Sequence, residues 1–306
     1  YDLSKVLFIT TANFASNIPA PLYDRMEVIE LGSYTAEEKF HIAKKHLIPK
    51  QLKKHGLTAR QLRFTDGAIR NMIDGYTREA GVRRLEQLIA SVCRKAAKRI
   101  AEGEEKISVK ESDLQALLGN PKFKEEQLRD SDEVGVVNGL AWTSELLEVE
   151  AAVLDGTGKL ELTGSLGDVM KESAHAAMSY VRSRADVFGI DSKFYKNKDI
   201  HIHAPEAAVP KDGPSAGLAI TTAIVSELTG IAIKSNVAMT GEISLKGKAL
   251  AIGGLKEKSM AAYKAGCDTV IIPQDNKKDL DEISDEVKQV IDFISVKNFD
   301  EVLPIA

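Results

Sequence analysis

The sequence of 306 residues has only two cysteines, Cys93 and Cys267, and a single tryptophan. Both cysteines lie in amphipathic or apolar surroundings, so a disulfide framework is excluded and a reducing compartment is favoured. No stretch approaches the roughly 18 apolar residues of a membrane span, and no secretory leader opens the chain. These absences predict a soluble protein without a membrane partner.

Several active-site motifs are also missing. No G-x-x-x-x-G-K-[ST] phosphate loop occurs, and no acidic strand end able to hold Mg²⁺ precedes the first apolar run, so this chain alone is not expected to hydrolyse ATP. The G-x-S-x-G elbow and the Ser-Asp-His order are absent too, which disfavours a small-ester hydrolase of that type.

The composition is that of a globular protein, with 43% hydrophobic and 28% charged residues. Its length predicts two or more domains. The net charge of −4 hides an asymmetry, because residues 1–120 carry 20 Lys and Arg against 15 Asp and Glu, whereas the rest carries 21 against 30. A basic surface can contact nucleotide phosphates or bind DNA weakly, but a solvated helical surface explains this balance better.

The segment PKDGPSAG (residues 210–217) carries the first candidate for catalysis. Gly213 and Pro214 predict a tight turn, and the apolar sequence that follows has helical spacing, so Ser215 is expected in the first turn of a helix. Backbone N–H groups at a helix start can stabilise the oxyanion that a serine nucleophile creates. Taken alone, Ser215 is more typical of a helix N-cap.

No histidine lies near Ser215 in a comparable setting, so a neutral lysine is the alternative base. To act as a base near neutral pH, a lysine must have its pKa lowered from about 10.4 to about 7.5, which requires burial or a nearby helix N-terminus. Lys258 follows Gly253 and Gly254 at the predicted start of a helix. Taken alone, it reads as a solvated helix lysine, and periodicity does not distinguish it from Lys256.

Together, the motifs PKDGPSAG, TGEISLKGKALAIGGLKEK and HIHAPEAAVP resemble the ATP-dependent Lon protease family. Upstream, FITTAN, PLYDRMEVIEL, YTREAGVRRLEQLI and VNGLAW resemble the end of an AAA+ ATPase module, its helical lid and the start of the peptidase domain. The resemblance covers essentially the whole chain. It departs from the usual pattern at PEAA (residues 205–208, commonly PEGA) and AIGG (residues 251–254, commonly PIGG), which puts loop conformation and rate in doubt.

The resemblance implies a Ser-Lys dyad in which Ser215 is the nucleophile and Lys258 the general base, the lysine being chosen over its neighbour on this ground. Thr240 would orient the lysine through a hydrogen bond. Gly213 shapes the turn, while Asp212 and Glu242 are nearby charges with open roles.

Three upstream residues match nucleotide-sensing positions of the family. Asn13 matches the sensor-1 residue, Arg25 the arginine finger that acts on a neighbouring subunit, and Arg83 the sensor-2 arginine of the lid. Without the resemblance, Asn13 reads as a turn former. Arg25 reads as an ion-pair partner of Asp24 or Glu27, and Arg83 as an ion-pair partner of Glu79 or Glu86.

The predicted fold class is α+β and multidomain. Residues 1–32 form the end of an AAA+ α/β subdomain, 33–118 an all-α lid, 119–131 a linker, and 132–306 a mixed α/β Lon-type peptidase domain. Residues 5–12 read as a buried parallel strand, and Asp155-Gly156-Thr157-Gly158 as a hairpin turn between two strands.

His201 and His203 alternate on a predicted strand and His175 lies on the preceding helix, so a metal site is one interpretation of these residues. No carboxylate or cysteine set with ligand spacing accompanies them, and packing beside a site is the favoured interpretation. Trp142 is more typical of a core or groove wall than of a specific contact.

The resulting hypothesis is an ATP-dependent serine endopeptidase that degrades misfolded and regulatory proteins, present here as a fragment. The resemblance implies unfolded protein substrates, a homohexamer, a bacterial cytoplasmic location with the mitochondrial matrix as alternative, and ATP with Mg²⁺ in the full-length protein. The peptidase chemistry needs no cofactor, and no bound cofactor is expected here. The alternative is a non-catalytic assembly and substrate-binding module whose peptidase site is inactive in isolation.

Overall fold

The chain forms two compact units, Tyr1–Ser33 and Tyr34–Ala306. The computed structural model describes residues 2–12, 18–29, 34–77, 79, 81–123, 128–141, 146–205 and 211–306. Asn13 and Trp142 lie outside the described residues.

In the first unit, helix α1 covers Ala20–Tyr23, and the predicted buried strand at residues 5–12 is wrong. These residues have neither helical nor strand structure, and Leu7 and Ile9 are each 84% exposed. A strand forms when neighbouring strands pair with its backbone N–H and C=O groups. Among the described residues, no strand pairs with this segment.

The second unit begins with a helical region, defined as residues 34–118. Its elements are α2 (Ala36–Ile42), a π-helical segment (Ala43–Leu47), α3 (Ile48–Lys54), β1 (Leu62–Phe64), α4 (Asp66–Tyr76), α5 (Arg83–Ala101), β2 (Ile107–Val109) and α6 (Glu111–Leu118). The spacing of Thr35 and Glu38 in the sequence predicts a capping box, and the structure contains it at the start of α2. A proline at position 49 predicts a break in the helix that follows, but Pro49 lies in the first turn of α3, directly after the π-helical segment, and the helix continues.

The core of the helical region is formed by the apolar faces of its helices, including Met72, Leu85, Ile89 and Leu114. The region is not entirely helical, since β1 and β2 pair in parallel with Leu62 opposite Ile107. Ile107 and Val109 are buried beneath the helices. The short ladder therefore satisfies backbone groups inside an otherwise helical core.

The remainder, called the sheet region (residues 128–306), contains a seven-stranded mixed sheet. Its strands are β3 (Val136–Leu140), β4 (Leu146–Asp155), β5 (Leu160–Thr163), β6 (Lys198–His203), β7 (Val237–Met239), β10 (Thr269–Pro273) and β11 (Asp292–Val296), while β8 (Glu242–Ile243) and β9 (Ala249–Leu250) form a separate hairpin. The order is β11-β10-β7-β3-β4-β6-β5. Only the β3–β4 and β4–β6 pairings within it are antiparallel.

Helices cover both faces of this sheet. They are α7 (Asp168–Arg184), α8 (Phe194–Asn197), α9 (Gly217–Thr229), α10 (Leu255–Ala265) and α11 (Asp285–Val290). Successive strand residues point to opposite faces, so Val237 and Met239 join the core beneath α7 and α9, whereas Ala238 joins the cluster beneath α10 and α11. Within the described part of the chain, no helix combines the length and apolar character that a membrane crossing requires.

The predicted hairpin at residues 155–158 is wrong, because β6 lies between β4 and β5. β4 pairs with β6 in antiparallel orientation, and β5 pairs with β6 in parallel. The turn is held by Asp199 of β6, whose Oδ1 accepts hydrogen bonds from the N–H groups of Thr157, Gly158 and Lys159 at 2.7 to 2.8 Å. A Gly-rich turn signal fixes a local reversal and leaves the partner strand undetermined.

The helical region touches the sheet region at α10. Lys264 Nζ lies 2.9 Å from Asp74 Oδ1 at the end of α4, and both side chains are more than a third exposed.

The carbonyl of Gly75 accepts hydrogen bonds from the N–H groups of Lys122 and Phe123. The segment after α6 therefore packs back against the end of α4.

We predict that Asp199→Ala lowers the melting temperature by a few degrees at neutral pH, because the 157–159 turn loses its acceptor. The hydrogen bonds from Lys159 and Thr157 lower the pKa of Asp199 below its ordinary value of 3.8. A lowered folded pKa stabilises the native state above that value, and this stabilisation is lost as the pH falls. Thermal unfolding from pH 7 to 2 tests this.

The control is Asp199→Asn, which keeps an oxygen acceptor and should lower the melting temperature at pH 7 by less than Asp199→Ala does. If the difference in melting temperature between Asp199→Ala and the parent chain stayed constant down to pH 2, the role of the carboxylate would be contradicted.

Candidate active site

Ser215 lies in a 3₁₀ turn, Pro214–Ala216, that runs directly into α9 at Gly217. The helix expected after the turn is confirmed, with Ser215 one short turn ahead of its α-helical part. Gly213 has φ of +133°, a value that favours glycine. The Ser215 side chain is neither fully buried nor fully exposed.

The backbone of Ser215 is fixed by the segment that follows β7. Gly241 N–H donates to the Ser215 carbonyl at 2.9 Å, and Leu218 N–H donates to the Gly241 carbonyl at 3.0 Å. At Gly217 a Cβ atom would lie 2.7 Å from the backbone N of Ile243. The absence of a side chain at Gly217 thus lets the helix start approach β8 closely.

Two contacts with α7 hold the same turn from the other side. Asp212 Oδ1 accepts hydrogen bonds from Met170 N–H at 3.1 Å and Gly213 N–H at 2.9 Å. Ser173 Oγ, buried on α7, donates to the Pro214 carbonyl at 3.3 Å. Sequence reasoning missed Ser173, whose only signal is a small polar residue on the buried face of an amphipathic helix.

Lys258 lies on α10 and is only 2% exposed. Apolar residues of the same helix, Leu255, Ala261 and Ala262, share a buried cluster with Leu140 and Ala238 of the sheet. Its Nζ donates to Thr240 Oγ1 at 2.9 Å. The predicted contact between these two residues is therefore present in the structure.

Strand alternation explains why Thr240 meets this lysine. Ala238 of β7 faces α10, so a side chain two residues later points to the same face. Thr240 is completely buried, and its hydroxyl donates to the Ser215 carbonyl at 3.4 Å. Lys258 and Ser215 are thus joined through Thr240, while no direct hydrogen bond between their side chains occurs among the described residues.

Burial lowers the pKa of Lys258 from 10.5 to about 8. An ammonium group with one hydroxyl partner has lost most of its hydration, so the neutral amine is favoured. At neutral pH about a tenth of the side chains would then carry an unprotonated amine, far more than for an exposed lysine. Such a group is able to accept a proton.

The other predicted residues are less closely connected to this arrangement. Glu242 lies on β8 directly after Gly241 and is half-buried. Arg83 is exposed at the start of α5. Both suggested partners of Arg83 are engaged elsewhere, Glu79 with the backbone N–H groups of Arg84 and Leu85, and Glu86 with Lys50. In the first unit, Arg25 is exposed.

His201 and His203 both contact Thr163, whose Oγ1 lies 2.8 Å from His201 Nε2 and 2.7 Å from His203 Nδ1. His175 is exposed on α7. Within the ranges that the structure describes, no three His, Cys, Asp or Glu side chains are grouped so as to hold a metal ion. The histidine pair is thus tied to the edge strand β5.

Comparison with known proteins supplies the family. The family model described as the Lon protease (S16) C-terminal proteolytic domain matches residues 108–306. The chain belongs to the Lon protease family. The Lon protease AAA+ ATPase lid domain matches residues 53–109, within the helical region.

Curated Lon proteases match almost all of the chain. One from Brevibacillus choshinensis is 53% identical over 307 residues, one from Bacillus thuringiensis (strain Al Hakam) is 54% identical over 307 residues, and Lon protease 1 of Bacillus subtilis (strain 168) is 53% identical over 307 residues. Each alignment covers 99% of this chain but only 39 to 40% of the relative. The chain thus spans about two fifths of the length of these Lon proteases.

We predict that Lys258→Met stabilises the chain by about 3 kcal/mol at pH 7, because a shift from 10.5 to about 8 costs about 1.4 kcal/mol per unit. A lysine whose pKa is lowered on folding destabilises the native state fully below pH 8, and this cost disappears between pH 8 and 10.5. Chemical denaturation at pH 7 and 10 tests the difference. If Lys258→Met raised the free energy of unfolding equally at both pH values, the lowered pKa of Lys258 would be contradicted.

Proposed function

We propose that this chain carries the peptidase half of an ATP-dependent serine endopeptidase, with Ser215 as nucleophile and Lys258 as general base. The observation that carries the proposal is the hydrogen-bonded series from Lys258 Nζ through Thr240 Oγ1 to the Ser215 carbonyl. It brings a buried amine to the turn that holds the serine. Membership of the Lon protease family supports the same reaction class.

The proposed reaction has two steps. In the first, Ser215 Oγ attacks the peptide carbonyl carbon while Lys258 Nζ takes the hydroxyl proton, and the ammonium then protonates the departing amine as the C–N bond breaks. In the second, water attacks the acyl ester carbon while Lys258 Nζ takes a proton from the water, and the ammonium then protonates Ser215 Oγ as the ester C–O bond breaks, which releases the peptide carboxylic acid. Lys258 ends each step neutral, so no cofactor is consumed.

The oxyanion requires N–H donors that are free to face it. Ser215 N–H at the helix start is the first candidate, since the first N–H groups of a helix lack intrahelical partners. The turn at residues 211–214 precedes Ser215 and is where a second donor is sought. Lys211 N–H donates to the Ser165 carbonyl and Gly213 N–H to Asp212, and Pro214 has no N–H. Asp212 N–H is therefore the proposed second donor.

The supporting residues have separate proposed roles. Thr240 fixes the amine of Lys258 and, through its own O–H, the carbonyl of Ser215. Asp212 ties the turn to the start of α7, and Gly213 provides the backbone conformation that the turn needs. We assign Glu242 no step in the reaction, because its described contacts are those of β8 pairing.

The action of the whole protein extends beyond this chain. We propose that ATP with Mg²⁺ drives delivery of unfolded protein substrates in a homohexamer, in the cytoplasm of a bacterium. In that setting Asn13, Arg25 and Arg83 would sense nucleotide. Arg83 suits such a role because it is exposed and its neighbouring carboxylates have other partners. The relatives named above are bacterial.

A second candidate function is a non-catalytic assembly and substrate-binding module. The observation in its favour is that Lys258 Nζ bonds Thr240 and not Ser215 Oγ. Incubation with a short fluorogenic peptide, unfolded casein and a folded protein separates the two. Cleavage of the peptide without cleavage of folded protein indicates a competent site lacking its motor, whereas binding of casein without cleavage of any substrate supports the module.

We predict that Ser215→Ala abolishes hydrolysis of a fluorogenic peptide, lowering kcat/KM on the order of 10³-fold or more. Lys258→Gln should have a similar effect because it removes the proposed base. Both variants should keep the far-UV circular dichroism of the parent chain. Retained cleavage by purified Ser215→Ala would refute the assignment of the nucleophile.

The pH dependence provides a further prediction. Since the neutral amine is the active form and the pKa of Lys258 is about 8, kcat/KM should rise about tenfold per pH unit below pH 8 and level off above it. A profile that was flat from pH 6 to 9 would contradict the role of Lys258 as the base.

A further inference from the structure

A buried amide side chain outside the motifs discussed above binds the backbone of the segment that leads into α10. Asn276 lies in the 3₁₀ segment Gln274–Glu282 after β10 and is 1% exposed. Its Oδ1 accepts from Ile252 N–H at 3.0 Å, and its Nδ2 donates to the Ile252 carbonyl and to Asp279 Oδ2, each at 2.7 Å. Both amide hydrogens and the carbonyl oxygen are therefore used.

The position of this contact gives it functional meaning. Residues 251–254, between β9 and α10, have neither helical nor strand structure. Asn276 supplies Ile252 with both a donor and an acceptor, as a neighbouring strand would. Two residues later, the Gly254 carbonyl accepts the N–H of Lys258 at 3.1 Å. The hydrogen bonds to Ile252 are thus two residues along the chain from the carbonyl that binds the backbone N–H of the proposed base.

A purely packing role would favour a different side chain. In and just after the same 3₁₀ segment, Ile283 belongs to the apolar cluster beneath α10 and Leu280 packs against it. Burying an amide there is unfavourable unless each polar atom has a partner. Two of the three hydrogen bonds that offset this cost go to the Ile252 backbone and hold it in one orientation.

We propose that Asn276 is a positioning residue for Lys258: by clamping Ile252 it fixes the start of α10 and keeps the amine in its dry site beside Thr240. The proposal rests on the proposed function, in which Lys258 is the base. Asp279 has a secondary part, because its carboxylate orients the Asn276 amide. Sequence reasoning assigned neither residue a role.

Three charged groups on the elements around α10 have partners of their own: Asp279 with Asn276, Glu286 of α11 with Tyr263, and Asp74 of α4 with Lys264. On β4, burial and Glu150 raise the pKa of Glu148. The other charged side chains of the 3₁₀ segment and of α11 are exposed. Burial is the cause of the lowered pKa of Lys258. Loosening the start of α10 should admit water to the amine and raise that pKa.

The test is Asn276→Ala in the complete 306-residue chain, with two readouts. The first is direct titration of Lys258 by NMR of ¹³Cε-labelled lysine, assigned by the signal lost in Lys258→Gln. The second is the pH profile of kcat/KM for a fluorogenic peptide. We expect the Lys258 pKa to rise by about one unit, and the alkaline shift of the profile to cut the rate at pH 7 about tenfold. Asp279→Ala should shift both readouts in the same direction, but less.

The matched control is Ser226→Ala. Ser226 is also buried, and its hydroxyl likewise bonds two backbone groups, here of different segments, accepting from Gly135 N–H and donating to the Ile231 carbonyl. It lies on α9, away from α10, so its loss should reduce stability and leave the titration of Lys258 unchanged. If Asn276→Ala destabilises the chain but moves neither the titration nor the profile, the positioning role is refuted.

The two proposals fail in different ways. If the parent chain does not cleave the peptide, or Ser215→Ala still does, the proposed function fails while the NMR titration continues to test the clamp. If Asn276→Ala does not fold, Asp279→Ala provides the deciding measurement, and an unchanged Lys258 titration in that variant overturns the proposal.

Discussion

An amine enclosed by apolar side chains, with one hydroxyl as partner, is the constraint on which the sheet region depends. Removing an ammonium group from water costs several kcal/mol even after relaxation, so the fold must exclude water from Lys258 by tight packing. The wall is built from small residues of α10, such as Ala261 and Ala262, against Ala238 and Leu140 of the sheet. Small side chains let the helix approach the strands closely.

The end of β7 sets the lysine and the serine in register. Consecutive residues there serve the two groups, Thr240 accepting from the amine and Gly241 N–H donating to the Ser215 carbonyl. Because adjacent residues at one strand end carry both contacts, the Thr240 side chain toward α10 and the Gly241 backbone toward the start of α9, both helices are placed relative to the same strand. The site lies beyond the carboxyl end of β7, which is parallel to both of its neighbours in the sheet, where open α/β sheets commonly bind ligands.

Much of this arrangement could be predicted from the sequence, and the failures have physical causes. Local signals were sufficient for the capping box at Thr35, for the turn before α9 and for the start of α10, since each depends on residues close in sequence. The strand expected at residues 5–12 failed because apolar character does not supply a pairing partner. The hairpin at 155–158 failed because insertion of β6 between its arms is a long-range event. The roles of Ser173 and Asn276 could not be predicted, because a single buried polar residue produces no periodic pattern in the sequence.

The strengths of the contacts around α10 differ, and the difference decides what holds the base in place. On its outer side, the ion pair of Lys264 with Asp74 is solvated, and exposed pairs are worth about 0 to 1 kcal/mol. On its inner side, breaking a buried hydrogen bond so that one partner is left unsatisfied costs about 1 to 3 kcal/mol, and Asn276 makes two such bonds to Ile252. The helix is therefore held mainly from within the sheet region. The ion pair with the helical region is the weaker of these contacts, so its loss alone is not expected to displace Lys258.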